Sequence, residues 1–169
     1  MKSKILVATV LLITTVTNSF AYRHHPNFPV IREVIIKTDF QKILINKNFQ
    51  LVLIQNSGKS SVTIAGDAKD IQDVEVNIIN NELRVTSKRN INYSKVVVYV
   101  PVKNLSVLNL ASGASVSGEG ALKFDDLTVV LNRDSKVNLK ALGNITLKPA
   151  ADDCELVFEK NERYKVIYQ

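Results

Sequence analysis

The sequence predicts an all-β fold, a β-solenoid: a right-handed β-helix-like stack of short strands with an N-terminal β-hairpin region. Three observations carry this expectation. From Val34 onward the apolar residues are mostly β-branched and alternate with their neighbours, which is the period of a strand. Helical spacing is confined to one short turn, too short to stand alone as a helix. From residue 104 a pattern recurs about every 20 residues with two short strands per unit, the mark of a stacked repeat whose units cannot bury their apolar faces alone.

In chain order, Val34, Ile36 and Thr38 form one phase of a first strand. Ile43 and Ile45 alternate with Leu44 and Asn46, and Leu51, Leu53 and Gln55 with Val52 and Ile54. These early strands are apolar in both phases, which predicts burial on both faces. Asn56-Ser57-Gly58-Lys59 is a turn, followed by Val62 and Ile64 and closed by Gly66-Asp67. Asp67–Asp73 is the one helical turn, with Asp67 as its expected cap. Residues 74–88 form a hairpin around Asn80-Asn81, a dipeptide that tolerates positive φ. Val96–Val100 is a strand ended by Pro101.

The repeat aligns Asn104-Leu105-Ser106-Val107 with Asp126-Leu127-Thr128-Val129 and Asn144-Ile145-Thr146-Leu147. Each is a polar residue, an aliphatic, a Ser or Thr, and an aliphatic. A second strand in each unit centres on Val116, Val137 and Leu156; the spacings are 22 and 18 residues for the first landmark and 21 and 19 for the second.

The first 21 residues are expected to be an export signal. Lys2 and Lys4 precede an apolar run from Ile5 to Val16, and Ser19 and Ala21 stand at the −3 and −1 positions of a cleavage site. The run falls short of the roughly 20 residues that span a bilayer. Residues 22–32, with two Pro and two His, are expected to be a flexible leader, and 33–169 a single domain. Cleavage would leave 148 residues and lower the formal charge from +6 to +4 by removing two lysines. The expected location is periplasmic or extracellular. A hydrophobic content of 46% excludes a wholly disordered chain, and the single Cys excludes an intrachain disulfide framework. Cys154 sits in phase with Leu156 and Phe158, so it is expected to pack inward as a small hydrophobe.

Phe40-Gln41-Lys42-Ile43, the strand pair Leu51–Gln55 and Val62–Asp67, the hairpin strand Asn81–Val85, and Val98-Tyr99-Val100-Pro101 leading to Ser112-Gly113-Ala114-Ser115-Val116 together resemble the bacterial GIN domain. That family is described as the head of auto-transporter adhesins, and its function is unknown. The resemblance runs from about Phe40 to Phe158 and implies a repeat-built β fold with an adhesion-like role. The later units depart from the family's Ser-Gly-rich corners, carrying Arg133-Asp134-Ser135 and Asp152-Asp153-Cys154 instead. The resemblance supplies no site residues.

Catalytic constellations are scarce. The two histidines, His24 and His25, both lie in the leader, far in sequence from any nucleophile that would need them. Asp125-Asp126 and Asp152-Asp153 have the chemistry of calcium ligands or paired glycosidase carboxylates, but the preferred reading is solvated turn residues, since neighbouring Lys123 and Arg133 dilute the charge. A basic face including Lys136, Lys140 and Lys148 would attract anions or simply protect a sheet edge. If cleavage follows Ala21, the free amine of Tyr22 with the amides of Arg23 and His24 and the imidazole of His24 offers a square-planar Cu(II) or Ni(II) site.

The expectation for function is an exported, non-catalytic recognition protein with no cofactor. Its expected partner is a glycan or other envelope component, not nucleic acid, which usually needs an aromatic stacking platform. Ser112, Ser115, Arg133 and Asp134 are the corner residues expected to contact it. The alternatives are an envelope-assembly role through self-association and, by fold analogy only, a polysaccharide hydrolase.

Overall fold

The computed structural model describes residues 29–55, 58, 60–149, 155–158 and 164–168. Twelve strands make one continuous sheet: β1 Val30–Ile35, β2 Lys42–Ile45, β3 Gln50–Gln55, β4 Ser61–Gly66, β5 Val74–Ile79, β6 Glu82–Ser87, β7 Val96–Val102, β8 Val107–Leu110, β9 Ser115–Leu131, β10 Lys136–Pro149, β11 Glu155–Phe158 and β12 Tyr164–Tyr168. Helix α1 spans Ala68–Ile71, and a 3-10 turn spans Tyr93–Lys95. The fold is all-β.

The order along the sheet is β1-β4-β7-β3-β9-β8-β2-β6-β5, with β10 beside β9 and both β11 and β12 beside β10. The path runs out through β9 and returns because β9 is 17 residues long and serves two neighbours. Its first part pairs with β3, Ser115 to Glu119 against Gln50 to Ile54. Its last part pairs with β8, Thr128 to Leu131 against Val107 to Leu110. Between them the strand bends, with Gly120 at φ 77°. β10 follows the bend in parallel and absorbs it in register shifts at Asn138/Lys140 and Leu142/Asn144. Gly143 is required there: its φ is 124°, and a Cβ would lie 1.7 Å from the Phe124 carbonyl oxygen.

Register lines up the core, in parallel pairs except where β4 meets β7. In one half of the sheet Leu83, Ile43, Leu108, Val129 and Leu147 stand in one row. In the other half Ile64, Val98, Leu51, Val116 and Val137 do the same. All ten are at most 2% exposed and belong to one cluster. Each such side chain contributes about 1.5–3 kcal/mol on leaving water.

The expected pairing of Val116, Val137 and Leu156 is present residue for residue, as is that of Asp126–Val129 with Asn144–Leu147. The first unit is offset by one: Leu108, not Val107, faces Val129. The Asn-aliphatic-Ser pattern at 104–106 is a corner whose Leu105 happens to be buried, so matching side-chain types mimicked a register that the ladder does not use. Burial of the early strands on both faces is overturned. β2 and β3 alternate between fully buried and half-buried or exposed positions, so Leu44, Val52 and Ile54 face outward.

Pro101 does not end β7, which continues to Val102. Antiparallel pairing with β4 stops at Tyr99, so beyond it only β3 borders the strand, and a missing N–H on an unpaired side costs little. The hairpin β5–β6 forms as expected, with Asn80 and Asn81 at φ 51° and 65°. Helix α1 forms, but Asp67 makes no side-chain cap bond; its backbone oxygen accepts from the N–H groups of Asp70 and Ile71. β1 begins at Val30, three residues inside the segment expected to be leader. The segment expected to be an export signal, Tyr22, Arg23, His24, His25 and Cys154 lie outside the described residues.

Candidate functional site

Two rows of corners connect the halves of the sheet. On one side run residues 46–49, 111–114 and 132–135, each entering the strand that follows it. Here Ser112, Ser115, Arg133 and Asp134 all appear, on neighbouring corners. The Gly113 N–H donates to the Arg133 carbonyl at 3.0 Å, and the Lys136 N–H to the Ala114 carbonyl at 2.9 Å. Ser115 stands in register between Gln50 and Lys136. Ser112, Arg133 and Asp134 are exposed, and Ser115 is half-buried.

This row is built for closure. Gly113 and Asp134 occupy equivalent places and share positive φ, 75° and 58°. A Cβ on Gly113 would come within 2.9 Å of the Asn48 side chain. Phe49, Ala114 and Ser135 fill the inward place of successive corners at 0% exposure. The Ser135 hydroxyl donates to the Asn132 carbonyl, and Asn132 Nδ2 to the Leu110 carbonyl, both at 2.5 Å. Tyr93 stacks edge-on against Phe49 with centroids 5.0 Å apart. The residues expected to bind are brought together, on a surface that turns outward.

A shallow concavity of about 280 Å³ lies beside this row, over the strand starts at Gln50, Ser115 and Lys136; two further concavities lie along the opposite row. One, of about 440 Å³, is lined by Gln41, Gln55, residues 103–106 and residues 123–126. A second, of about 330 Å³, shares Gln41, Lys103 and Asn104 and continues past Lys37, Asp39, Phe40 and Asn81. Their floor is held by backbone bonds. The N–H groups of Ser106 and Val107 and the Ser106 hydroxyl donate to the Gln41 carbonyl at 2.8, 3.2 and 3.1 Å. The Thr128 N–H donates to the Ser106 carbonyl at 2.8 Å, and the Lys123 N–H to Gln55 Oε1 at 2.7 Å. Leu105 and Phe124 turn inward, 3% and 5% exposed, which leaves their neighbours Lys103, Asn104, Lys123 and Asp125 facing the cleft.

The chemistry of this row is mixed. Lys103 and Lys123 have no ion-pair partner among the described residues, whose four salt bridges join residues 67–95. Asp126 Oδ1 accepts from Asn144 Nδ2 at 2.9 Å, and among the described residues no group of three or more His, Cys, Asp or Glu side chains could hold a metal ion. The amides, ammonium groups and carboxylates together supply donors and acceptors for a hydroxyl-rich ligand. Sequence reasoning singled out Asp125 and Asp126 but missed Gln41, Gln55, Lys103, Asn104 and Lys123. The available signal was the polar residue flanking each inward aliphatic at 103–106 and 123–126, which alternation alone does not distinguish from ordinary surface.

Comparison with solved structures shows the same fold elsewhere. A protein of Parabacteroides distasonis described as a "putative adhesin" is 17% identical, with a TM-score of 0.67 over 77% of this chain and 56% of its own. A second protein of that organism, described as a "Putative lipid binding protein", is also 17% identical, with a TM-score of 0.55 over 76% of this chain and 59% of its own. The chain thus spans less than two thirds of either neighbour. No curated protein matches it. Residues 39–152 match the family model described as "Putative auto-transporter adhesin, head GIN domain", and the chain belongs to that family.

Proposed function

We propose that the protein is an exported, non-catalytic recognition protein, a β-solenoid that binds an extended glycan or another polyhydroxylated envelope component along its cleft-bearing row of corners. The observation that carries this reading is the pair of adjoining polar clefts that share Gln41, Lys103 and Asn104. Together they make an elongated surface suited to several sugar units. Parallel register of β8, β9 and β10 supports the solenoid reading, since each unit presents its corner beside the next and many weak polar contacts then add. Export is supported by the N-terminal order of Lys2, Lys4, an apolar run and Ser19-Phe20-Ala21.

The test is a glycan and envelope-polysaccharide binding screen at two salt concentrations, repeated with Lys103→Ala/Lys123→Ala. Salt-resistant binding to a defined glycan, weakened about tenfold by the double substitution, is the expected result. Binding that vanishes at higher salt reflects generic attraction to a basic surface and overturns the reading. No binding, with a mass that rises with concentration, favours an envelope-assembly role.

A further inference from the structure

Strand β1 is an edge: among the described residues it pairs with β4 and with no other strand. Of the four exposed large hydrophobic residues among those described, three lie on it, Val30, Ile31 and Ile35 at 47%, 64% and 73%. The Ile36 N–H donates to the Ser60 carbonyl at 2.7 Å, so in this antiparallel register Val34, Arg32 and Val30 are the residues that exchange bonds with β4. The N–H and C=O groups of Ile31, Glu33 and Ile35 therefore point to the open side. The same three residues carry the outward side chains, an apolar-acidic-apolar row. Glu33 has no ion-pair partner among the described residues.

The edge is held in place from behind. The Arg32 guanidinium, on the inner side, donates to the Gln72 carbonyl at 3.4 Å and to the Val74 carbonyl. It ties β1 to the chain leaving α1, so the open edge does not have to be ordered when something binds.

We propose that β1 is a strand-addition site for an extended protein segment of alternating pattern, with apolar residues opposite Ile31 and Ile35 and a Lys or Arg opposite Glu33. Open ladder bonds supply affinity and the outward row supplies selectivity. A second copy of this chain is the poorer occupant. Antiparallel self-pairing that keeps both core faces on one side and matches Ile31 with Ile35 sets Glu33 against Glu33, and like charges directly opposite oppose pairing. None of the residues of β1 lines a cleft, although the smaller cleft begins at Ile36, just past its end; failure of the strand-addition site would leave the glycan reading untouched.

Two synthetic peptides test this, Thr-Ile-Thr-Lys-Thr-Ile-Thr and its central-Glu counterpart, each titrated into the purified protein at low ionic strength with amide hydrogen exchange as the readout. The Lys peptide is expected to bind about fivefold more tightly and to slow exchange at Ile31, Glu33 and Ile35. Glu33→Lys should reverse the preference. Ile35→Pro removes an N–H that faces the open side, so it should abolish binding while the β4 pairing and the melting temperature persist. The proposal is overturned if neither peptide binds, if Glu33→Lys leaves the preference unchanged, if protection appears elsewhere, or if light scattering shows a dimer that Ile31→Thr/Ile35→Thr dissolves.

Discussion

The corners at 46–49, 111–114 and 132–135 are packed by Phe49, Ala114 and Ser135 and stitched by backbone bonds from one to the next. Those on the other side, at 103–106 and 123–126, bury Leu105 and Phe124 but leave the polar residues between them around two clefts. The same alternation of strand and turn produces both rows. What differs is where the inward residue stands. In the first row it is the last residue before a strand, so the rest of the turn folds tightly over it. In the second, inward and outward residues interleave, through the corner at 103–106 and through the bent middle of β9 at 123–126. The two clefts are lined mainly by ordinary polar residues, with the hairpin residue Asn81 at one end.

Breaking the sealed row should cost the most. Phe49→Ala removes a fully buried ring and its contact with Tyr93; a loss of about 3–5 kcal/mol is expected in denaturant titration. On the cleft side the backbone at the bend is the sensitive point. Gly143→Ala places a methyl against the Phe124 carbonyl at a φ of 124°, and a loss of roughly 3 kcal/mol is expected by the same measurement. If Gly143→Ala proved neutral, the close packing of β9 on β10 at that bend would be wrong.

Smaller effects sharpen the contrast. Ser135→Ala deletes the buried hydroxyl bond to the Asn132 carbonyl and should lower stability by about 1 kcal/mol. Surface changes should separate the rows by function. Ser112→Ala/Arg133→Ala and Lys103→Ala/Lys123→Ala should each shift stability by no more than about 0.5 kcal/mol. Only the second pair should weaken binding to a glycan found in the screen. Loss of binding in the first pair alone would return the site to the sealed row.

Much of the fold was legible because strand alternation and turn chemistry are local. Asn80-Asn81 announced its hairpin through a dipeptide that accepts positive φ, and Val116 and Val137 announced their pairing through a strand-turn pattern repeated at 21 residues. The offset at Val107 was not legible, because side-chain type is the same at neighbouring places and only ladder bonding distinguishes them. The candidate site was legible only in Asp125 and Asp126; Gln41, Gln55 and Lys103 come from three distant stretches, and no local pattern joins them.

By itself the sequence determined that this chain is β-structured, which of its later segments repeat, and which family it belongs to, since each follows from residue type and spacing along the chain. The tertiary structure decided that β2 and β3 join the same parallel ladder as β8 and β9 across the long intervening segment. It also decided that Pro101 continues a strand, that β1 is left as an open edge, and that the clefts form beside Gln41 rather than Ser112. The physical reason is that register and edge exposure depend on which strands become neighbours. That choice is made by burying apolar rows contributed by residues far apart in the chain.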